Sequence, residues 1–152
     1  MALHYSSATC VSARRLMARC DTVFRVKVAA TVAVIFLTVV VVFQIALALG
    51  APLGKAAWGG QHQGVLPKRL RIASGVAAFL VYPFIIVTVL GAAGVIDAGF
   101  PPGNTSTVMW ILGGLFAFGG LANLASRSTL ERYWSPVSIA IAICCAIIAS
   151  KL

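Results

Sequence analysis

Acidic side chains are nearly missing from this chain. Asp21, Asp97 and Glu131 are its whole complement in 152 residues, against twelve Lys and Arg. None of the three, and no Lys, Arg or His, falls within the four long apolar stretches 28–49, 72–95, 107–125 and 136–150. Proton coupling through a carboxylate inside a membrane span therefore lacks its residue. Cysteine is scarce as well. Cys10 and Cys20 lie in the N-terminal region, Cys144 and Cys145 are adjacent and point about 100° apart on a helix, and no Cys-x-x-Cys occurs, which removes dithiol redox chemistry. The two histidines, His4 and His62, are far apart in sequence. His62 has no second ligand beside it, so neither a metal site nor a cofactor is expected, and Ser–His hydrolysis and zinc proteolysis lack their residue sets.

What remains is apolar. The hydrophobic fraction is 61% and the charged fraction 10%, where a soluble domain averages about 25% charged residues. The first three stretches are about 28 to 36 Å long as helices, enough to cross a hydrocarbon core of about 30 Å. The fourth reaches that length if it begins near Tyr133, giving a span of 134–150. The composition predicts an all-α polytopic protein of the cell membrane, with four transmembrane helices in one bundle over 28–152. Residues 1–27 are expected to form a basic, partly disordered tail. The apolar run after that tail exceeds the 7 to 15 residues of a signal-peptide core, so an uncleaved first span is expected.

The net charge of +9 has a membrane explanation. Basic residues sit at helix ends, where they meet lipid headgroups, and no aromatic-basic motif points to nucleic acid. Six Lys and Arg fall on each side: Lys55, Lys68, Arg69, Arg71, Arg127 and Arg132 against Arg14, Arg15, Arg19, Arg25, Lys27 and Lys151. An initiator at Met17 would leave four on the second side, and the count does not choose an orientation.

Within the spans, polar and small residues mark packing. Thr31, Thr38 and Gln44 lie within about 60° on the first helix and predict a polar stripe facing the bundle, with Gln44 bonding across it. Tyr82-Pro83 predicts a kink in the second helix, with the Phe79 carbonyl losing its partner. Gly113, Ala117 and Gly120 form a small face on the third helix, which lets another backbone approach and predicts this helix at the centre. Trp134-Ser135-Pro136 opens the fourth, with the indole expected at headgroup level and proline in the first turn.

Four spans bring the first and third connections to one side. The first carries Gly50-Ala51-Pro52-Leu53-Gly54, Trp58-Gly59-Gly60 and Val65-Leu66-Pro67 through Ser74; the third runs from Asn123 to Pro136. The second connection offers Asp97 and the turn Pro101-Pro102-Gly103-Asn104, and reads as a plain connector. Glu131 is the only acid in the two longer loops, with Arg127 and Arg132 beside it and Arg69 and Arg71 in the other loop. An ion pair with Arg69 or Arg71, clamping the loops together, is expected ahead of an anion site. Trp58, Arg69, Arg71, Asn123, Arg127, Glu131 and Arg132 are the candidate binding cluster, and no catalytic residue stands out. Gly50-x3-Gly54-Lys55-Ala56 fails as a phosphate loop, because it has one residue too few between its glycines and no Ser or Thr after the lysine.

The patterns GAPxG, WGG, VLPxxLRxxS and NLxSRSxxERxxWxPV, over about Gln44 to Val137, resemble those of a set of small bacterial four-helix integral membrane proteins. That resemblance implies the four-span fold and carries no catalytic or binding residue with it. Four-helix glutathione-linked membrane transferases have a similar length, but their Glu-Arg-x3-Ala-His-x-Asn segment is absent, since Glu131-Arg132-Tyr133-Trp134-Ser135 departs after two residues. The exclusions leave a non-enzymatic structural, accessory or partner-binding component as the expected function. Its partners are expected to be the lipid bilayer and either another membrane protein or a second copy. A small oligomeric transporter or channel subunit and an intramembrane enzyme stand as alternatives.

Overall fold

The computed structural model describes residues 3–97, 99 and 104–151, with side chains from residue 14 on. It is all-α, and no strand occurs among the described residues. Four helices are long and apolar enough to cross a membrane: α1 (Leu3–Leu49), α2 (Lys68–Ala92), α3 (Thr105–Leu124) and α4 (Thr129–Ala149). The last begins with a short turn, Thr129–Arg132, and runs on from Trp134. At 21 residues it is about 31 Å long, so the fourth span is not short.

The N-terminal region departs from expectation. Instead of a partly disordered tail, residues 3–27 continue the first span as one helix of 47 residues, about 70 Å in all. Local bonds support the segment below the span: Thr22 donates to the Ala18 carbonyl, and Arg25 pairs with Asp21 at 2.9 Å across one turn. Both partners of that pair are exposed, so it adds little stability.

The hub is α4, not α3. Ile141, Cys144, Cys145, Ile148 and Ala149 are buried, and join Val26, Ala29, Ala30, Ala33 and Leu37 of α1 with Val89 of α2 and Met109 of α3 in one core. The glycine face of α3 serves a single tight contact with α4. A Cβ on Gly113 would lie 3.4 Å from the Ala142 carbonyl, and one on Gly120 would lie 2.8 Å from Ile139 Cγ1. Ala117, half-buried, continues that face. Small residues therefore mark where two backbones meet closely, which need not be the bundle's axis.

The polar stripe on α1 is also replaced. Thr31 and Thr38 are exposed and donate to the carbonyls of Lys27 and Val34 one turn back. A hydroxyl satisfied by its own helix can face lipid, so spacing alone does not turn it inward. Gln44 does face the bundle, with its amide beside Tyr82 of α2.

Pro83 is accommodated by a wide turn. Residues Ala77–Val81 are π-helical, and the Tyr82 amide donates back to the Ala77 carbonyl, which relieves the ring's clash with the preceding turn. Thr88 is committed to the Phe84 carbonyl. α2 packs chiefly on α1 and only slightly on α3, leaving a groove between α2 and α3.

The first and third connections lie together, as the bonds below show. Residues 98 and 100–103, with most of the Pro-Pro-Gly-Asn turn, lie outside the described residues; Asp97 accepts from the Gly99 amide. In a variant freed of native thiols, cysteines at Gln61 and Thr129 are expected to label from one side of the membrane and a cysteine at Asp97 from the other. Opposite labelling of Gln61 and Thr129 would overturn the four-span topology.

Candidate functional site

The α1–α2 loop is built around glycine. The Gly54 amide donates to the Gly64 carbonyl at 2.9 Å, closing the loop on itself. A side chain at Gly54 would meet the backbone oxygens of His62 and Gly64 at 2.7 and 2.8 Å. Further on, Trp58, Gly59 and Gly60 all take positive φ (55°, 82° and 65°), and Trp58 is the only non-glycine residue to do so among those described. A bulky residue in the left-handed region costs about 1–3 kcal/mol and persists only when its surroundings hold it there.

Those surroundings are visible on both flanks. The Trp58 indole donates to Ser74 of α2 at 3.2 Å, and the Gly59 amide donates to Glu131 Oε1 at 2.6 Å. Gly60 packs so closely on Ser128 that a Cβ would overlap its side chain, while the Ser128 hydroxyl donates to the Lys55 carbonyl at 2.5 Å. The second Glu131 oxygen accepts from the Ser126 hydroxyl, and Ser126 Oγ in turn accepts from the Ser128 amide. Glu131, 5% exposed, therefore ties the third connection to the first.

The clamp between the loops exists, but without the arginine partner expected for it. Arg71 donates instead to the Ala48 carbonyl at 3.1 Å and lies against Gly50, capping the C-terminus of α1, where a cation is favoured. Arg69 is exposed on the first turn of α2. Arg132 is exposed and donates to the Ser126 carbonyl at 2.9 Å. α3 ends at Leu124, so Arg127 does not extend it and makes no helical pair with Glu131. Among the described residues the one ion pair is Arg25 with Asp21. A carboxylate this deeply buried is served by backbone and hydroxyl donors already held in the loops, which need no long side chain to be ordered.

Three cavities meet beneath this latch, and Asn123 lines all of them. An inner chamber of about 260 Å³ is bounded by Gln44, Trp58, Tyr82, Asn123, Glu131 and Trp134. Trp134, expected at headgroup level, packs instead on Phe43, with ring centroids 4.4 Å apart and the planes tilted by 42°. An outer cavity of about 570 Å³ carries Gly59, Gln61, Ser126 and Arg127 beside Asn123 and Glu131. The groove between α2 and α3, about 390 Å³, is lined mostly by apolar residues such as Val81, Ile85, Leu115 and Phe116. Gln44 Oε1 is buried, and no donor reaches it among the described residues.

Of the candidate cluster, Trp58, Asn123, Arg127 and Glu131 come together, while Arg69, Arg71 and Arg132 point to other tasks. The sequence favours interhelical packing over ligand binding for Gln44, places Tyr82 only at the kink, and does not mark Ser126, Ser128 or Phe43 as site residues. The Ser-Arg-Ser run beside the single acid was the available signal for the two serines. No group of three or more His, Cys, Asp or Glu converges among the described residues.

Fold and site together define a four-span membrane protein with one latched, partly polar end. Comparison with protein-family models, curated proteins and solved structures finds no match.

Proposed function

We propose that this protein is a multi-pass component of the cell membrane that works by binding rather than by turnover, holding a membrane constituent in the chamber beneath its latched loops. The observation that carries this reading is the state of Glu131. The one acid at the site accepts from the Gly59 amide and the Ser126 hydroxyl, so its oxygens hold the loops in place rather than standing free for acid–base work. The cavities that adjoin it then serve as a receptacle whose walls are fixed from both loops.

Native mass spectrometry of the protein released from its host membrane is expected to show a retained small-molecule adduct. Asn123→Leu, which places an apolar side chain on the wall common to all three cavities, is expected to remove that adduct with little change in thermal midpoint. Retention of the same adduct by the variant, or no adduct on either protein, would overturn the reading.

A further inference from the structure

We propose that the occupant is a bilayer amphiphile with a primary ammonium headgroup, its ammonium in the inner chamber and its acyl chain in the groove between α2 and α3. This rests on the binding reading above and names the ligand class.

Charge comes first. Among the described residues the only formally charged side chain lining the inner chamber is Glu131, 5% exposed and in no ion pair. Its two hydrogen bonds come from neutral donors, Arg127 beside it lines the outer cavity rather than the chamber, and a carboxylate retains lone pairs after accepting twice. The chamber's charge therefore favours a cation.

The remaining lining sets the kind of cation. Gln44 Oε1 is a buried acceptor lacking a donor, which is costly to leave so. Asn123 and Ser138 add further polar positions, and Trp58, Tyr82 and Trp134 supply aromatic rings. Rings and carboxylate attract any organic ammonium. Only one that keeps its N–H groups satisfies Gln44 as well; a trimethylammonium brings no donor to it.

The groove sets the rest of the molecule. Tyr82, Phe116, Asn123 and Ser138 line both groove and chamber, so the two spaces adjoin across these four side chains. Exposed Val81 and Leu115 lie on the groove's walls, within spans that face hydrocarbon. A soluble amine would leave that apolar surface to other molecules. An acyl chain entering from the bilayer covers it while its headgroup reaches the chamber.

The test is a titration of delipidated protein, by native mass spectrometry, with dioleoyl phosphatidylethanolamine, phosphatidylcholine and phosphatidylglycerol. The ethanolamine lipid is expected to bind about tenfold more tightly than either other lipid, the scale of one charge-assisted hydrogen bond. Gln44→Leu and the closer isostere Gln44→Met are both expected to reduce its affinity to the level of the choline lipid, with thermal midpoints recorded to show that each variant is folded. Soluble glycerophosphoethanolamine is expected not to compete. Equal or tighter binding of the choline lipid, or no effect of either Gln44 variant, would overturn the ammonium assignment. Competition by the soluble headgroup would overturn the acyl-chain assignment. An adduct of some other class that Asn123→Leu still displaces would overturn this inference and leave the binding function standing; no displaceable adduct would overturn both.

Discussion

Glu131→Ala is expected to destabilise the protein by about 2–5 kcal/mol and to release the α1–α2 loop. The Gly59 amide, on an exposed residue, and the part-buried Ser126 hydroxyl lose their acceptor together; a hydrogen bond to a charged group contributes about 1.5–3 kcal/mol, and water recovers part of that at Gly59. The left-handed turn at Trp58 then loses one of its two flanking restraints and relaxes. Thermal unfolding in detergent measures the loss, and hydrogen exchange at Gly59 should rise with it. Glu131→Gln, which keeps one carbonyl oxygen and turns a donor toward the other partner, should fall between alanine and wild type. Arg69→Gln and Arg71→Gln should rescue neither variant, because neither arginine pairs with the acid. A rescue of the Gln variant in a double-mutant cycle would restore the ion-pair clamp and overturn the latch described here.

Gly120→Leu is expected to cost at least as much, about 3 kcal/mol or more, by prising α3 from α4. A Cβ at this position already lies 2.8 Å from Ile139 Cγ1 and 3.4 Å from both the Ile139 nitrogen and the Ser135 carbonyl. Rotation of Ile139 relieves only the first contact, so a longer side chain must separate the helices and give up the packing that holds them. Leu115→Phe is the matched control. Leu115 is 62% exposed, and enlarging it should change stability by less than about 0.5 kcal/mol. Equal thermal midpoints for the two variants would mean that the glycine face does not carry the α3–α4 contact.

How far the sequence could be read follows from what each residue can do alone. The four spans were legible because hydrocarbon imposes length and excludes charge at every position, a constraint that needs no neighbour. Gly120 showed close approach but not which helix approached, because a missing side chain carries no address. Thr31 and Thr38 misled for a related reason: a hydroxyl bonded to its own helix is as stable against lipid as a buried one. At the site, isolation singled out Glu131, and the two loops were placed together by span parity. Its partners were not legible. The choice between an arginine and a backbone amide depends on a left-handed turn at Trp58–Gly60, and the adjacent glycines announce only that such a turn is permitted. The extended N-terminal helix was missed because low hydrophobicity was read as absence of structure, although helix formation needs no apolar face when a span already supplies the nucleus.

The latch also sets a timetable for biogenesis. Gly59 and Glu131 are 72 residues apart, so at about 5 to 20 residues per second the ribosome delivers the acid roughly 4 to 14 seconds after the turn it secures. Throughout that interval the first hairpin resides in the membrane with Trp58 held from Ser74 alone, and the face of α1 from Ala29 to Leu37 waits for α4, the last of the four spans to be made. The bundle is thus completed by its fourth span: a nascent chain halted before Thr129 holds three spans without the helix that joins them, and bundle closure and loop locking arrive in the same step.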